Sequence, residues 1–173
     1  MSDPLRPVYT ERASKGTAVQ QPSLVGRDAR VLLLGCVSEK GPAAVAAQDL
    51  YVSTLFRLRR AHAETLGSPW FILSAKHALV GPDEVLEPYD MRLSDLSVAD
   101  RRAWGDRVFA QLQAAAAPLS GRVFEFHAGS HYVEAVRPHL EKVGAVVVWP
   151  LQGLRLGEQL HWYKQFLKAH GGG

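Results

Sequence analysis

Three side chains of this sequence have the types and positions that acid–base chemistry requires: Lys76, Asp90 and His127. Lys76 and His127 come at or just after the ends of apolar runs, and Asp90 follows Pro88-Tyr89. Because proline fixes its own backbone and restricts the preceding residue, the loop around Pro88 is expected to be ordered. A carboxylate beside an aromatic ring can activate water or stabilise a developing cation. We therefore predict that these three residues are catalytic.

Each of the three has a simpler interpretation. Lys76 is equally compatible with a surface charge, and Asp90 with a turn or a helix cap. His127 is compatible with a histidine that donates a hydrogen bond to a backbone carbonyl. The spacing of His127 and His131 resembles that of metal ligands on a helix, but no clear third ligand accompanies them. We predict no metal and no cofactor.

Other chemistries lack their sequence signatures. Cys36 ends the first apolar run, where a buried structural cysteine is more common than a nucleophile. The patterns GxxxxGK[ST] and GxGxxG do not follow that run. Nucleoside triphosphate hydrolysis and dinucleotide-dependent oxidoreduction are therefore excluded.

Apolar periodicity predicts the elements that must position these residues. Short continuous apolar runs predict buried strands at about 30–36, 70–74, 122–127 and 145–149. Helical periodicity predicts helices at about 43–66, 98–117, 130–143 and 157–170, with Ser97 as an N-cap. Residues 77–96 show weak periodicity and predict a long ordered loop.

Alternating strands and helices predict an α/β fold with a parallel sheet and right-handed crossovers. Every loop after a strand then emerges at one edge of the sheet, where open α/β sheets bind their ligands. We predict that the residues gathered there bind the substrate: Cys36, Ser38, Lys40, Tyr51, Ser53, Ser74, Tyr89, Tyr132 and Gln152.

Length and composition favour one domain, residues 29–173, after a flexible N-terminal tail, residues 1–28. The net charge of +3 permits nucleic-acid binding without requiring it, and we interpret Arg57, Arg59 and Arg60 as a solvated helix face rather than a phosphate-binding surface. No apolar run reaches membrane-spanning length, the N-terminus does not resemble a secretion signal, and there is a single cysteine. We expect a cytoplasmic protein without a membrane partner.

Several motifs together resemble a family of small bacterial domains of unknown function, over roughly Val31 to the end of the chain. They are Gly35-Cys36-x-Ser38-x-Lys40, Asp49-Leu50-Tyr51-x-Ser53, Ile72-Leu73-Ser74-Ala75-Lys76, Glu87-Pro88-Tyr89-Asp90 and Phe126-His127-Ala128-Gly129. That family is distantly similar to the core domain of archaeosine synthase and to the uracil-DNA glycosylase superfamily. The resemblance implies a three-layer α/β/α fold, a four-stranded parallel sheet ordered 2-1-3-4, and a base-binding pocket.

The resemblance also implies an activity. Some relatives are thought to remove modified bases from phage DNA, so the leading hypothesis is an N-glycosidase that acts on a base in DNA or in a nucleoside. The water-activating motif GQDPY of classical uracil glycosylases is absent after the first predicted strand. In this hypothesis Asp90 stabilises the sugar cation, and Lys76 and His127 stabilise the departing base or bind phosphate. Tyr51 or Tyr89 stacks on the base. DNA is favoured over RNA as the polymer.

Two alternatives stay open. The same pocket could sense a nucleotide or a modified base without catalysis, because no unmistakable catalytic dyad is present. The protein could instead be a transferase that modifies a deazaguanine-like base, by analogy with archaeosine synthase.

Overall fold

The computed structural model describes residues 29–37 and 39–171. The predicted tail, residues 1–28, and Ser38 lie outside the described residues. In chain order the elements are β1 (Arg30–Gly35), β2 (Val45–Ala46), α1 (Ala47–Leu50), α2 (Thr54–Leu66), β3 (Trp70–Ser74), β4 (Ala78–Val80), β5 (Val85–Leu86), a 3-10 turn (Leu93–Asp95), α3 (Val98–Ala116), β6 (Val123–His127), α4 (Ser130–Lys142), β7 (Val146–Val148) and α5 (Leu156–Ala169).

The main sheet has five strands in the order β4-β3-β1-β6-β7. The four strands predicted from apolar runs are β1, β3, β6 and β7, and they are parallel and lie in the predicted order. The fifth strand, β4, was not predicted and runs antiparallel to β3. The fold is therefore mixed α/β with a mostly parallel sheet.

Strand β1 shows how the sheet is buried on both faces. Because successive side chains of a strand point to opposite faces, Val31 and Leu33 pack into one core while Leu32 and Leu34 pack into another. The first core includes side chains of α3 and α4, and the second includes side chains of α1 and α2. All four are fully buried, and burial of each contributes roughly 1.5–3 kcal/mol.

The predicted helix over residues 43–66 is wrong at its first half. The chain instead forms β2, the single turn α1 and a break, and α2 begins only at Thr54. Tyr51 forms an antiparallel bridge with Lys40, and Ser53 Oγ accepts a hydrogen bond from the Phe56 amide at 3.1 Å. This pairing and this cap override a helical pattern that is continuous in the sequence.

The predicted loop over residues 77–96 contains two short strands. Ala78 has a left-handed backbone with φ of 62°, and the turn before it reverses the chain so that β4 pairs with β3. Farther along, β5 pairs with β2. In the second half of this segment, the Tyr89 hydroxyl is hydrogen-bonded to Ser74 Oγ at the end of β3.

The remaining helices begin and end close to the predicted positions. Ser97 caps α3 as expected, since its Oγ accepts a hydrogen bond from the Asp100 amide at 3.0 Å. Gly105 allows α3 to approach α4 closely, because a Cβ there would lie 2.2 Å from the Ala135 carbonyl oxygen. Within residues 29–37 and 39–171, no helix is both long and apolar enough to cross a bilayer.

Candidate functional site

Of two adjoining cavities at the carboxyl edge of the sheet, the larger opens where β1 and β6 end side by side. The chain leaves β1 toward β3 on one side and leaves β6 toward β7 on the other, so this is the point at which the strand order reverses. The cavity measures about 350 Å³, and Cys36, Arg92, Ser130, His131 and Tyr132 contribute to its lining. Open α/β sheets bind ligands at such a reversal point.

A second cavity lies beside the first, between the ends of β6 and β7 and the start of α5. It measures about 220 Å³ and is lined in part by His127, Trp149, Gln159 and Tyr163. Gly129 and Ser130, together at the start of α4, line both cavities. The two cavities therefore adjoin, separated by the first residues of one helix.

Four of the predicted substrate-binding residues form a tyrosine cluster: Lys40, Tyr51, Ser74 and Tyr89. The Tyr89 hydroxyl is hydrogen-bonded at 2.6 Å both to the Tyr51 hydroxyl and to Ser74 Oγ. The Lys40 ammonium lies 4.3 Å from the centroid of the Tyr89 ring, within cation–π range. The structure thus brings together residues that are up to 49 positions apart in the chain.

Burial keeps the phenols of this cluster protonated. It raises the pKa of Tyr51 to about 12, and it raises the pKa of Tyr89 strongly, with repulsion from the nearby Cys36 as the next cause. Both phenols therefore remain hydrogen-bond donors at neutral pH.

Cys36 connects this cluster to the larger cavity. Its Sγ lies 3.1 Å from the Tyr132 hydroxyl, and both residues line that cavity. Burial raises the pKa of Tyr132 as well. The predicted site residues Cys36 and Tyr132 are therefore in contact, on the side of the cavity that faces the tyrosine cluster.

His127 belongs to a buried chain of hydrogen bonds below the smaller cavity. Its Nε2 lies 2.8 Å from Glu125 Oε1, and its Nδ1 lies 2.6 Å from the Tyr163 hydroxyl. His62 Nε2 is 3.3 Å from the same carboxylate oxygen, and Arg30 donates to the other oxygen at 2.7 Å. His127 is only 1% exposed, and both of its ring nitrogens are bonded to side chains, so the interpretation of it as a donor to a backbone carbonyl is wrong.

The protonation states of this chain follow from its surroundings. Burial alone would raise the pKa of the Glu125 carboxyl, but hydrogen bonds from His127 and His62 and the charge of Arg30 hold that pKa well below its usual range. Burial lowers the pKa of His127, and the Glu125 hydrogen bond only partly opposes this. At neutral pH His127 Nε2 donates to the carboxylate and Nδ1 accepts from Tyr163.

The sequence analysis missed four members of this region: Arg59, His62, Glu125 and Tyr163. Two features of the sequence could have pointed to these residues. Glu125 and His127 alternate with Phe124 and Phe126 in a strand, which places two polar side chains on one buried face. Arg59 and His62 are three residues apart on α2 and share its buried face, so the interpretation of Arg59 as solvated is wrong.

His62, Glu125 and His127 also offer the donor atoms of a possible metal site. Their three ligand atoms lie within 4.8 Å of one another, and two imidazoles with a carboxylate form a donor set that zinc accepts. Arg30, however, already offsets the one carboxylate. A divalent ion bound there would add two positive charges to a buried region. Glu125 is the one acid among the three residues. In the structure these donor atoms are joined by hydrogen bonds between each imidazole Nε2 and Glu125 Oε1.

The other predicted residues lie away from the cavity walls. Asp90, Lys76 and Gln152 are exposed, and none of them lines either of the two cavities. The Lys76 ammonium lies 6.0 Å from the centroid of the Tyr89 ring. Ser53 serves as the N-cap of α2. The catalytic roles of Asp90 and Lys76 stay predictions.

The fold and the cavities place the protein in a broad class, that of mixed α/β domains with adjoining cavities at the carboxyl ends of their parallel strands. A family profile described as a family of unknown function, DUF6884, matches residues 31–165, and the chain belongs to that family. The predicted membership in an uncharacterised family is thereby confirmed. A comparison with curated proteins gives no match.

Proposed function

We propose that the protein is a hydrolase that binds a nucleobase, carried by DNA or by a nucleoside, and cleaves its N-glycosidic bond. The observation that carries the proposal is the pair of adjoining cavities at the strand ends, about 220 and 350 Å³ in volume. A nucleoside has two rigid halves, and two cavities on either side of Gly129 and Ser130 suit a base and a sugar.

The smaller cavity is the better place for the base. Trp149 contributes an aromatic side chain to its lining, and Gln159 and Tyr163 contribute side chains that carry polar groups. An apolar wall with a few convergent polar groups is the usual lining of a site for a small heterocycle. In DNA the base would have to leave the stack to enter it.

The larger cavity then takes the sugar and its phosphate. Arg92 and His131 line it, and Asp90 lies in the chain between Tyr89 of the tyrosine cluster and Arg92 of the cavity wall. This place in the chain, two residues before Arg92, supports Asp90 as the carboxylate that stabilises the sugar cation. When the C1′–N bond breaks, its electron pair goes to the base. Water adds its oxygen to C1′ and gives up the proton that balances the base.

We infer that the family is distantly similar to the uracil-DNA glycosylase superfamily, and this similarity favours DNA as the substrate. We extend the proposal to a three-layer fold of that kind, to modified bases of phage DNA and to a defence role in the cytoplasm. The Lys76 ammonium, close to the Tyr89 ring, is the group that would meet the departing base or a phosphate from outside the cavities.

One observation favours a second function, base binding without catalysis. Both nitrogens of His127 are hydrogen-bonded inside the protein, to Glu125 and to Tyr163, which leaves no free imidazole nitrogen for the substrate. A sensor would use the same cavities to recognise a base and would release nothing.

Mass spectrometry separates the two functions. DNA with modified bases, and a panel of nucleosides, would be incubated with the wild-type protein and analysed for free base. We expect base release by the wild type, none by Asp90→Asn, and normal release by Asp83→Asn, which changes another exposed aspartate. Undiminished base release by Asp90→Asn would show that Asp90 has no catalytic role. If the wild-type protein binds a base but releases none, the hydrolase is contradicted and the sensor function is supported.

A further inference from the structure

The second half of α5 exposes a row of basic side chains along one side of the helix. His161, Lys164 and Lys168 follow one another at i, i+3 and i+7, a spacing that places them on the same side, and all three are exposed. Together they form the α5 stripe. Glu158 lies in the first turn of the helix, and after it the sequence contains no further aspartate or glutamate.

The α5 stripe differs from other helix surfaces of this protein in having no acid to pair with. On α2, Arg60 is paired with Glu64 one turn farther along, and on α4 Arg137 is paired with Glu141 in the same way. Among the ion pairs formed in the described part of the chain, none includes a lysine of the stripe. A negative charge for the stripe therefore has to come from a partner.

The spacing of the two lysines fits a regular row of negative charges. Lys164 and Lys168 are about 6 Å apart along the helix axis, within the Debye length of about 8 Å at physiological ionic strength, so their charges repel each other. A polyanion laid along the stripe removes this repulsion. In DNA one strand presents a phosphate about every 3.4 Å of the duplex axis, so each lysine can meet a phosphate of its own.

The stripe begins close to the proposed base site. Leu154, just before α5, and Gln159, within its first half, line the smaller cavity. His161 follows Gln159 by two residues, which is about 3 Å along the helix axis, and Lys168 lies about 10 Å beyond His161. A polymer whose base occupies the smaller cavity therefore has a row of cations within a short distance of that cavity.

We propose that the α5 stripe binds the phosphate backbone of double-stranded DNA beside the base site, so that the base is presented in the polymer rather than as a free nucleoside. This inference rests on the proposed function and names the partner of the same site. Lys164 and Lys168 supply the charge. They increase the affinity for DNA and take no part in breaking the glycosidic bond.

The salt dependence of DNA binding tests the stripe without any turnover. Fluorescence anisotropy would measure the association constant of a short, labelled, unmodified duplex at several concentrations of KCl. A double variant with Lys164→Gln and Lys168→Gln should bind at least about tenfold more weakly at low salt. The slope of log K against log [KCl] should become smaller by about 1.8, because each phosphate contact contributes about 0.9. An unchanged slope, or no binding by the wild type at low salt, would overturn the proposal.

A second double variant controls for net charge. Arg102→Gln with Lys142→Gln removes the same charge from exposed positions of α3 and α4, whose side chains pack on the face of the sheet opposite to α2, the helix that α5 contacts. It should bind the duplex within about twofold of the wild type. An equal loss in both double variants, or binding to phosphatidylserine vesicles in place of the duplex, would contradict the stripe.

Conservative substitutions separate charge from side-chain shape. Lys164→Arg with Lys168→Arg keeps both charges, so the wild-type affinity and slope should be retained. Loss of binding in this variant, with the fold intact by circular dichroism, would contradict a role for charge alone.

Base release distinguishes this inference from the proposed hydrolysis. With both lysines changed to glutamine, KM for base release from DNA should rise at least about fivefold while kcat stays within about twofold of the wild type, because the stripe contributes equally to ground-state and transition-state binding. Loss of DNA binding in that variant, without base release by the wild type, would contradict the hydrolase and leave the stripe standing. Base release from DNA with the same KM in the variant and the wild type would contradict the stripe alone.

Discussion

The Tyr163 hydroxyl lies 2.6 Å from Nδ1 of His127, and both groups are buried at the wall of the smaller cavity. This contact joins α5 to the end of β6, so it ties the last helix of the chain to the central sheet. It also fixes the tautomer of His127, whose other nitrogen donates to Glu125. One hydrogen bond in the wall of the smaller cavity therefore also contributes to the stability of the core.

The first prediction concerns this bond. Tyr163→Phe removes the donor and leaves His127 Nδ1 buried without a partner, which should lower the free energy of unfolding by about 1–3 kcal/mol. Urea denaturation followed by tryptophan fluorescence measures it. Tyr132→Phe is the control, because its hydroxyl bonds only a thiol, a weaker partner. A loss no larger in Tyr163→Phe than in Tyr132→Phe would contradict the account.

The second prediction concerns Glu125. Glu125→Gln keeps the shape of the side chain but removes the charge that pairs with Arg30 and receives the His127 hydrogen bond. Hydrogen bonds to charged groups contribute roughly 1.5–3 kcal/mol each, and the partial exposure of Arg30 lowers its share, so we expect a loss of about 2 kcal/mol. Chemical denaturation at neutral pH provides the measurement. Glu141→Gln, an exposed acid of α4, should change stability by less than about 0.5 kcal/mol.

The third prediction concerns acid stability. The pKa of His127 and that of Glu125 are both lowered in the folded protein, so the unfolded chain binds more protons as the pH falls. Their contribution is present above the unfolded pKa values, about 6.5 for histidine and about 4.3 for glutamate, and is lost below them. The melting temperature should fall as the pH drops from about 7 to about 4. A His127→Gln variant should lose less over the histidine range; an identical pH profile would contradict this.

The fourth prediction separates a helix cap from a ligand contact. Ser53→Ala removes the side chain that accepts a hydrogen bond from the Phe56 amide and should cost about 1 kcal/mol. Ser97→Ala, which removes the corresponding cap of α3, should cost a similar amount. Neither should change the affinity for a base measured by calorimetry. A selective loss of affinity in Ser53→Ala would return Ser53 to the substrate-binding residues.

The fifth prediction concerns the tyrosine cluster. Tyr89→Phe removes the hydroxyl that bonds both Tyr51 and Ser74, so about 1 kcal/mol of stability should be lost. Because Tyr89 immediately precedes Asp90 in the chain, base release should fall by more than the loss of stability alone explains. A thermal shift assay and the base-release assay, carried out on the same preparation, measure both effects. Loss of stability with full activity would limit the cluster to a structural role.

The sequence predicted the four parallel strands well because buried strands have a local signal. Runs such as Arg30–Gly35 and Trp70–Ser74 are apolar, short and bounded by turn residues. The break before α2 had no such signal. Helical periodicity continues through Tyr51 and Ser53, and the bridge from Tyr51 to Lys40, a tertiary contact, ends the first turn before the Ser53 cap begins α2.

The site was predictable where strand ends determine it. Cys36, Ser74 and His127 were expected at the carboxyl edge and lie there. The burial of Arg59 and Glu125 was not expected, since charged residues are seldom fully buried and their partners come from other elements. Which face of α2 meets α5 is a matter of packing that no short motif specifies.

A crystal structure of the wild-type protein with xanthine or 5-nitrouracil tests the central claim most directly. The account predicts the base in the smaller cavity, in contact with Trp149 and Tyr163. A base bound elsewhere on the surface, or both cavities filled only by solvent at saturating ligand, would contradict it.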